Sequence, residues 1–373
     1  MFNPLIKKYA DVLVDYSTKV KENDLVIIYA RGYEAQPLVK EIFKACLIKG
    51  ANPIVRTSMD EISETFIKYA NDNQLNYIDE MTKIEVEKAD VMIFIGAPSN
   101  IKNLANADSA KMAIRSKASQ PVLSRRLERS ANNEMRWVIA DYPTNALAQE
   151  ASMSLEEYSE FLINSCYLDL DNPTEKWIEI DVEQKRLAEI LNKTSKLRIT
   201  GDKTDITFST AGRIWVPCSG NMNFPDGEIF TSPVEDSATG KIYFDFPQNY
   251  HGSTAREVYL TLEKGKVVEA SAEIGNEFLQ NMLNMDAGSR FVGEIAIGTN
   301  DRIQNVTGNI LFDEKIGGSI HMALGSSYPE AGGKNKSGLH WDMIKNMKPK
   351  ENLEGGKIYA DDKLIYKNGK FVI

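Results

Sequence analysis

Leu25-Val26-Ile27-Ile28-Tyr29-Ala30 is a continuous apolar run with the length of one β-strand. A run without polar alternation is typical of a parallel strand that is buried on both faces. A helical pattern follows and ends before Gly50, and similar apolar runs recur at 91–96 and 136–140. Strands that alternate with helices in this way form right-handed βαβ units. The first half of the chain is therefore predicted to fold as an open α/β sheet.

The second half has a different pattern, with short strand-like segments separated by turn residues. The segments 258–262 and 266–270 flank Glu263-Lys264-Gly265, which predicts a hairpin, and Asn368-Gly369 between apolar runs favours a type I′ turn. The predicted fold class is α/β followed by a β-rich α+β part. We expect an α/β N-terminal domain over residues 1–180 and a β-rich domain over residues 181–373.

The composition argues against several classes of protein. The chain has 373 residues, of which 42% are hydrophobic and 26% charged, as in an ordinary globular protein. A net charge of −9 without a basic patch argues against a nucleic-acid partner. The sequence shows neither a run long enough to span a membrane nor the apolar core of a signal peptide. The widely spaced Cys46, Cys166 and Cys218 fit a reducing compartment, so we expect a cytoplasmic protein without membrane contact.

Histidines and carboxylates of the second half have the composition of a metal site. Asp342 follows His340 by two residues, so both side chains share one face if the segment is a strand. Glu294 interrupts an apolar run, where a carboxylate is costly unless it is paired or bound to a metal. Such mixed ligands suit two divalent ions of zinc, cobalt or manganese that share a carboxylate. The candidate ligands are Glu228, Glu294, Glu314, His321, His340 and Asp342.

All of these residues except Glu314 also have a structural interpretation. Either histidine alone is more typical of a hydrogen-bonded core histidine, Glu228 of a residue beside a turn, and Asp342 of a helix N-cap. Glu294 can equally pair with a lysine or an arginine, and no HExxH motif strengthens the metal interpretation. The third histidine, His251, has no assigned role and is predicted to lie in a loop.

Two other enzyme classes lack their motifs. Ala30-Arg31-Gly32-Tyr33-Glu34 follows the first predicted strand, and neither GxGxxG nor GxxxxGK[ST] occurs, which argues against a nucleotide-binding oxidoreductase. No GxSxG occurs, and the cysteines lack a partner pattern, which argues against a serine or cysteine hydrolase. A non-catalytic, metal-dependent binding protein stays open as an alternative to a metalloenzyme.

Several segments, in order and in separation, resemble the aminopeptidase T / aminopeptidase S family of thermophilic metallopeptidases. They are Ala140-Asp141-Tyr142-Pro143-Thr144, 223–233 (NFPDGEIFTSP), 293–298 (GEIAIG), 311–314 (LFDE), 320–329 (IHMALGSSYP) and 339–344 (LHWDMI). The resemblance implies a metal-dependent aminopeptidase that hydrolyses the N-terminal residue from short peptides with a free N-terminus. It implies a dinuclear metal site with a bridging water, in a catalytic second domain, and a homodimer.

The resemblance also implies roles for single residues. Glu294 matches the carboxylate shared between the two ions, and Tyr328 matches a tyrosine that assists catalysis. Glu294 or Glu314 relays a proton. Whether Glu314 is a metal ligand or only a relay stays open, because the segment Lys-Ile-Gly-Gly-Ser-Ile between Glu314 and His321 is two residues longer than in some members. The metal ligands that match the family are Glu228, Glu294, His321, His340 and Asp342.

Overall fold

The computed structural model describes residues 4–250 and 252–373, so the loop predicted at His251 lies outside the described part. The described chain divides into two compact units. The first unit comprises the residues up to Lys176 together with Gly220–Pro225, and the second comprises Trp177–Ser219 and Asp226–Ile373. The domain limits 1–180 and 181–373 stay a prediction, because compactness alone does not define an independently folding domain.

The helices begin with α1, Pro4–Asp11, which continues as a π-helical segment at Val12–Ser17. The others are α2 Gln36–Ile48, α3 Asp60–Tyr69, α4 Asp72–Asn76, α5 Glu80–Lys88, α6 Ser109–Ala131, α7 Asn145–Glu150, α8 Leu155–Ser165, α9 Pro173–Leu191, α10 Asn276–Leu283 and α11 Ile310–Asp313. Within residues 4–250 and 252–373, none of the helices has the length and apolar character needed to cross a membrane.

The strands alternate with these helices in the first unit and predominate in the second. They are β1 Leu25–Arg31, β2 Asn52–Ser58, β3 Val91–Gly96, β4 Arg136–Asp141, β5 Lys196–Gly201, β6 Thr204–Ser209, β7 Val216–Cys218, β8 Asn223–Phe224, β9 Glu228–Thr231, β10 Thr239–Phe244, β11 Gln248–Tyr250, β12 Ser253–Glu263, β13 Lys266–Ile274, β14 Val292–Gly298, β15 Ser319–Gly325, β16 His340–Asn346, β17 Lys357–Ala360, β18 Lys363–Lys367 and β19 Lys370–Phe371.

A parallel sheet in the order β2-β1-β3-β4-β8 forms the first unit. Val26, Ile27 and Ile28 of β1 are fully buried, as their continuous apolar run predicts. The helices α2 and α6 lie in the connections that follow β1 and β3. The prediction of an open α/β sheet in the first half is therefore confirmed.

Antiparallel pairing dominates the second unit. Its larger sheet contains nine strands, including the hairpin β12–β13 that the sequence predicts at Glu263-Lys264-Gly265. The hairpin β18–β19 turns at Asn368 and Gly369, whose φ angles of 54° and 83° fit the predicted type I′ turn. The prediction of a β-rich second half is confirmed.

The smaller sheet of the second unit has the order β16-β15-β14-β9-β7. One of its faces belongs to the hydrophobic core, with side chains such as Ile295, Ile297 and Met322 fully buried. Since successive side chains of a strand point to opposite faces, the opposite face carries Glu294, His321 and other polar residues. The sheet thus separates an apolar core from a polar, largely buried layer.

A β-bulge at Gly293 decides which face of this sheet Glu294 occupies. Val292 pairs with Leu324 and Glu294 pairs with Ala323, so one extra residue stands in β14. Without the bulge, Val292 and Glu294 share a face. With it, Val292 packs in the hydrophobic core and Glu294 lies on the polar face. A Cβ atom at Gly293 would lie 2.2 Å from the backbone oxygen of Ser326.

We therefore expect Gly293→Ala to lower the free energy of unfolding by about 1–3 kcal/mol, because the new methyl group overlaps backbone that has to move. Chemical denaturation of the metal-free chain measures the change. Gly338→Ala is the matched control, since its Cβ meets its nearest atoms at 3.5 Å, an ordinary contact. Equal midpoints for the two variants would contradict the tight fit at the bulge.

Candidate metal centre

Four strands of the smaller sheet bring the candidate ligands together on its polar face. Glu294 of β14 and Asp342 of β16 both lie opposite Ala323 of β15 in the strand register, and His321 lies opposite Ala296. Alanine side chains between the polar ones leave room for ligand atoms to converge. His340 and Asp342 share one strand face, as the two-residue spacing predicts.

Glu294 is at the centre of the cluster. Its Oε1 lies 3.4 Å from Nε2 of His321, and its Oε2 lies 3.4 Å from Nε2 of His340. Glu228 Oε2 is 3.3 Å from Nε2 of His321, and Asp342 Oδ1 is 3.5 Å from Nε2 of His340. Two of the resulting groups of potential ligands share Glu294, one with Glu228 and His321 and one with His340 and Asp342. A further group consists of Glu314, His321 and Asp342.

Backbone carbonyls orient both imidazole rings. Nδ1 of His321 lies 3.1 Å from the carbonyl oxygen of Glu314, and Nδ1 of His340 lies 2.9 Å from that of Ser326. In the neutral ring, an Nδ1–H that donates to these carbonyls leaves the lone pair of Nε2 directed at the carboxylates. This is the outer-shell arrangement of metal-binding histidines, in which a carbonyl fixes the tautomer and the ring orientation.

Two carboxylate oxygens of the cluster have no hydrogen bond to the described residues. Glu228 Oε2 and Asp342 Oδ1 are both buried and accept none. A buried acceptor without a donor costs roughly 1–3 kcal/mol, and more when it is charged. Both atoms lie beside an imidazole Nε2, so cations bound between these oxygens and the imidazoles would supply the missing partners. The residues therefore fit divalent metal ions.

The surroundings shift the pKa values of the cluster strongly in the metal-free chain. Burial raises the pKa of Glu228 to about 8 and also raises that of Asp342. Burial alone lowers the pKa of an imidazole, but the nearby carboxylates outweigh it and raise the pKa values of His321 and His340 to about 10. Burial also opposes ionisation of Glu294, but hydrogen bonds from the two histidines prevail and lower its pKa to about 2. Protons thus compensate the negative charge when metal is absent.

The structure changes the structural interpretations that the sequence allowed for Asp342, the two histidines and Glu294. Asp342 lies inside β16 and is not a helix N-cap. Neither histidine is an isolated core residue, since both face carboxylates. The basic neighbours of Glu294 are His321 and His340, and the buried lysine of this region contacts Glu228 instead.

That lysine, Lys315, contacts the cluster and is the residue that the sequence reasoning missed. Its Nζ donates to Oε1 of Glu228 and to Oε1 of Glu314, each at 2.5 Å, and lies 3.6 Å from Oδ1 of Asp226. Lys315 directly follows Asp313 and Glu314 in the sequence, a position typical of an exposed charged segment, so the sequence carried no signal for its burial. Glu314 lies at the edge of the cluster, where its side chain is 14% exposed.

Tyr328 lies beside the cluster. Its ring packs against Phe230 and His340, with ring centroids 5.0 and 5.1 Å apart, and its hydroxyl lies 3.4 Å from Nε2 of His340. Partial burial and the negative charge of Glu294 and Asp342 raise its pKa well above the ordinary value, so the phenol keeps its proton. A hydroxyl donor is therefore available at the edge of the candidate metal centre.

Comparisons with known proteins show the family and the fold of this chain. The family model described as thermophilic metalloprotease (M29) matches residues 2–371. Aminopeptidase AmpS of Bacillus subtilis (strain 168) is 25% identical, and the alignment covers 99% of each chain. Aminopeptidase 2 of Geobacillus stearothermophilus is 26% identical, with 87% of this chain and 84% of the relative covered. The structure of wild-type AmpT from Thermus thermophilus matches over 100% of both chains with a TM-score of 0.85 at 22% identity, which shows a shared fold.

The shifted pKa values predict how metal affinity depends on pH. Metal ligation requires neutral imidazoles and ionised carboxylates, so protons on His321, His340 and Glu228 compete with the metal. Because the histidine pKa values are about 10, the affinity is expected to rise with pH throughout pH 6–9. The slope is about tenfold or more per pH unit, which corresponds to at least one displaced proton.

Competition with a chromophoric chelator, corrected for the chelator's own protonation, measures this slope. An affinity that levels off above pH 7, as for histidines with ordinary pKa values, would contradict the prediction.

Proposed function

This chain belongs to the M29 family of thermophilic metalloproteases and is a metal-dependent aminopeptidase. We propose that it removes the N-terminal residue of short peptides through a dinuclear metal site with a bridging water. The observation that carries the proposal is the position of Glu294. Each of its two oxygens faces a different imidazole, so Glu294 would be able to hold two ions together with both histidines.

The proposed ligands divide into two sets that share Glu294. Glu228 and His321 complete one set, and His340 and Asp342 complete the other. Two imidazole nitrogens among several carboxylate oxygens form a donor set that suits zinc, cobalt or manganese. The buried oxygens without hydrogen bonds, one in each set, support this division.

Two divalent ions, when bound, supply an acidified water near neutral pH and polarise the scissile carbonyl. The residues of the chain bind, orient and move protons around that chemistry. Glu314 is the most exposed of the clustered carboxylates, and we propose it as the group that takes a proton from the attacking water and passes it to the leaving amine. Glu294, which faces both imidazoles, is the second candidate for this proton transfer.

Tyr328 is proposed to donate a hydrogen bond to the carbonyl oxygen of the scissile peptide as negative charge develops there. Its hydroxyl lies at the edge of the cluster, beside His340, and carries a proton at neutral pH. A fixed donor aimed at a developing oxyanion is among the largest single contributions to hydrolytic catalysis. The ring is held by Phe230 and His340, so little ordering remains for the transition state.

The proposed substrate is a short peptide with a free N-terminus. The bound ions or the carboxylates beside them would hold the free α-amino group next to the scissile bond, and an acylated amine would lose that interaction. A homodimer and a cytoplasmic location are part of the proposal. The cysteines support the location, since none of the three, all within the described residues, forms a disulfide.

A metal-dependent binding protein without turnover is the second candidate function. The same ligand cluster supports it, because binding metal does not require hydrolysis. The position of Tyr328 beside the cluster favours the enzyme. A phenol donor at that place can assist catalysis, whereas metal binding alone does not require it.

The deciding experiment is hydrolysis of aminoacyl-p-nitroanilides and dipeptides by chelator-stripped protein before and after addition of Co²⁺, Zn²⁺ or Mn²⁺. We expect activity only with metal, and none on the N-acetylated forms of the same substrates. Glu294→Gln is the inactive control, because it removes the carboxylate that faces both imidazoles. Bound metal without turnover on any substrate would support the binding protein instead.

The variant Tyr328→Phe tests the role of the phenol. We expect kcat to fall by about 100-fold, because one donor to the oxyanion is lost, while KM and the number of bound metal ions stay unchanged. Steady-state kinetics and elemental analysis measure these quantities.

Tyr366→Phe is the matched control for that variant, since its hydroxyl is buried without a hydrogen bond in the hydrophobic core of the same unit. An unchanged kcat in Tyr328→Phe would remove the tyrosine from the mechanism.

A further inference from the structure

Lys315 is a buried cation at one end of the carboxylate cluster. Its side chain is fully buried, and burying an ammonium group is costly unless opposite charges surround it. Three carboxylates do so, those of Glu228, Glu314 and Asp226, at distances of 2.5, 2.5 and 3.6 Å. The ammonium of Lys315 thus lies among the oxygens of three carboxylates.

The surroundings of this ammonium also have the composition of a cation site. Cys218, Asp226 and Glu228 offer ligand atoms within 4.8 Å of one another, next to the two groups that share Glu294. The backbone holds the lysine in place, because its N–H donates to the carbonyl of Phe312 and its carbonyl accepts from Asn300. The ammonium is therefore a fixed part of the cluster.

We propose that the Lys315 ammonium is a resident cation that fills a third cation position of the cluster, limits the cluster to two divalent ions and keeps Glu314 out of their ligand set. This inference rests on the proposed function, since it concerns the ion count of the same site. It assigns a structural partner to Glu314, whose role the sequence leaves open.

The assignment of individual oxygens supports this proposal. Glu228 Oε1 accepts from Lys315, whereas Glu228 Oε2 has no hydrogen bond and lies 3.3 Å from Nε2 of His321. One oxygen is thus used by the internal cation, and the other is available to a metal ion. Glu314 Oε1 also accepts from Lys315, and Glu314 offers a ligand atom within 4.8 Å of those of His321 and Asp342. The ammonium therefore competes with a metal ion for this carboxylate.

The charge balance supports the same ion count. The clustered carboxylates are Asp226, Glu228, Glu294, Glu314 and Asp342, each with a side chain at most 14% exposed. Five negative charges and the ammonium of Lys315 leave a net charge of four, which two divalent ions neutralise when both imidazoles are neutral. Without the lysine, one negative charge stays uncompensated in a buried environment.

The experiment counts bound Mn²⁺ by elemental analysis after gel filtration of the full chain at a fixed free Mn²⁺ concentration. Mn²⁺ is the probe because a position formed by carboxylate oxygens suits it. The wild-type chain is expected to bind two equivalents. Lys315→Met removes the ammonium at similar length, frees Glu228 Oε1 and Glu314, and is expected to bind a third equivalent.

Two further variants separate charge from packing. Glu314→Gln combined with Lys315→Met removes one charge of each sign, so the count is expected to return to two. Lys345→Met is the matched control, because Lys345 is also buried in this unit but donates to the carbonyl of Asp202 and lies outside the cluster. It is expected to bind two equivalents.

Two or fewer equivalents in Lys315→Met overturn the proposal. Wild-type protein that binds no Mn²⁺, Co²⁺ or Zn²⁺ overturns the proposed function, and this inference with it. If Lys315→Met does not fold, Glu314→Gln alone decides. Two equivalents with an affinity within threefold of wild type support the proposal, and loss of one equivalent overturns it, because Glu314 is then a ligand.

Discussion

The arrangement of the second unit depends on cations that compensate the negative charge of carboxylates on a buried sheet face. Carboxylates such as Glu228 and Glu294 are nearly fully buried on the polar face of the smaller sheet. An isolated ionised carboxylate is costly in such a place, so cations, protons or metal ions have to accompany it. Lys315 supplies one permanent charge, and His321 and His340 hold protons in the metal-free state. Divalent ions have to displace these protons in order to bind the same ligand atoms.

The sheet achieves this arrangement through its two faces. The apolar face packs into the hydrophobic core, and this packing holds the strands rigidly in register. The bulge at Gly293 then lets one strand contribute Val292 to the core and Glu294 to the cluster. Small residues such as Ala296 and Ala323 leave space where ligand atoms meet. The precision of the site therefore comes from apolar packing on the other side of the same strands.

The segment that carries Tyr328 shows how a loop acquires similar precision. Asn335 donates to the carbonyls of Gly288 and Gly325, and Ser337 donates to Asp286, so neighbouring strands and loops hold the connection between β15 and β16 from several sides. The backbone N–H of Tyr328 donates to the hydroxyl of Ser232. A phenol anchored in this way can act on a substrate without a large entropic cost for ordering it.

The amino-acid sequence by itself determined the fold class and the residue types of the candidate centre. The apolar run at Leu25 predicts a buried parallel strand, and the Asn368-Gly369 pair predicts the turn of the C-terminal hairpin. The two-residue spacing of His340 and Asp342 predicts a shared strand face. These are local properties, because strand period and turn chemistry depend on neighbours along the chain.

Only the tertiary structure decided which side chains meet. It placed Lys315 against Glu228, 87 positions away, and directed the two oxygens of Glu294 at different imidazoles. It also placed Glu294 on the polar face through a β-bulge, which the regular alternation of side chains along a strand does not predict. Strand order and register, and with them distances between ligand atoms, result from packing of the whole unit. Sequence spacing does not encode them locally.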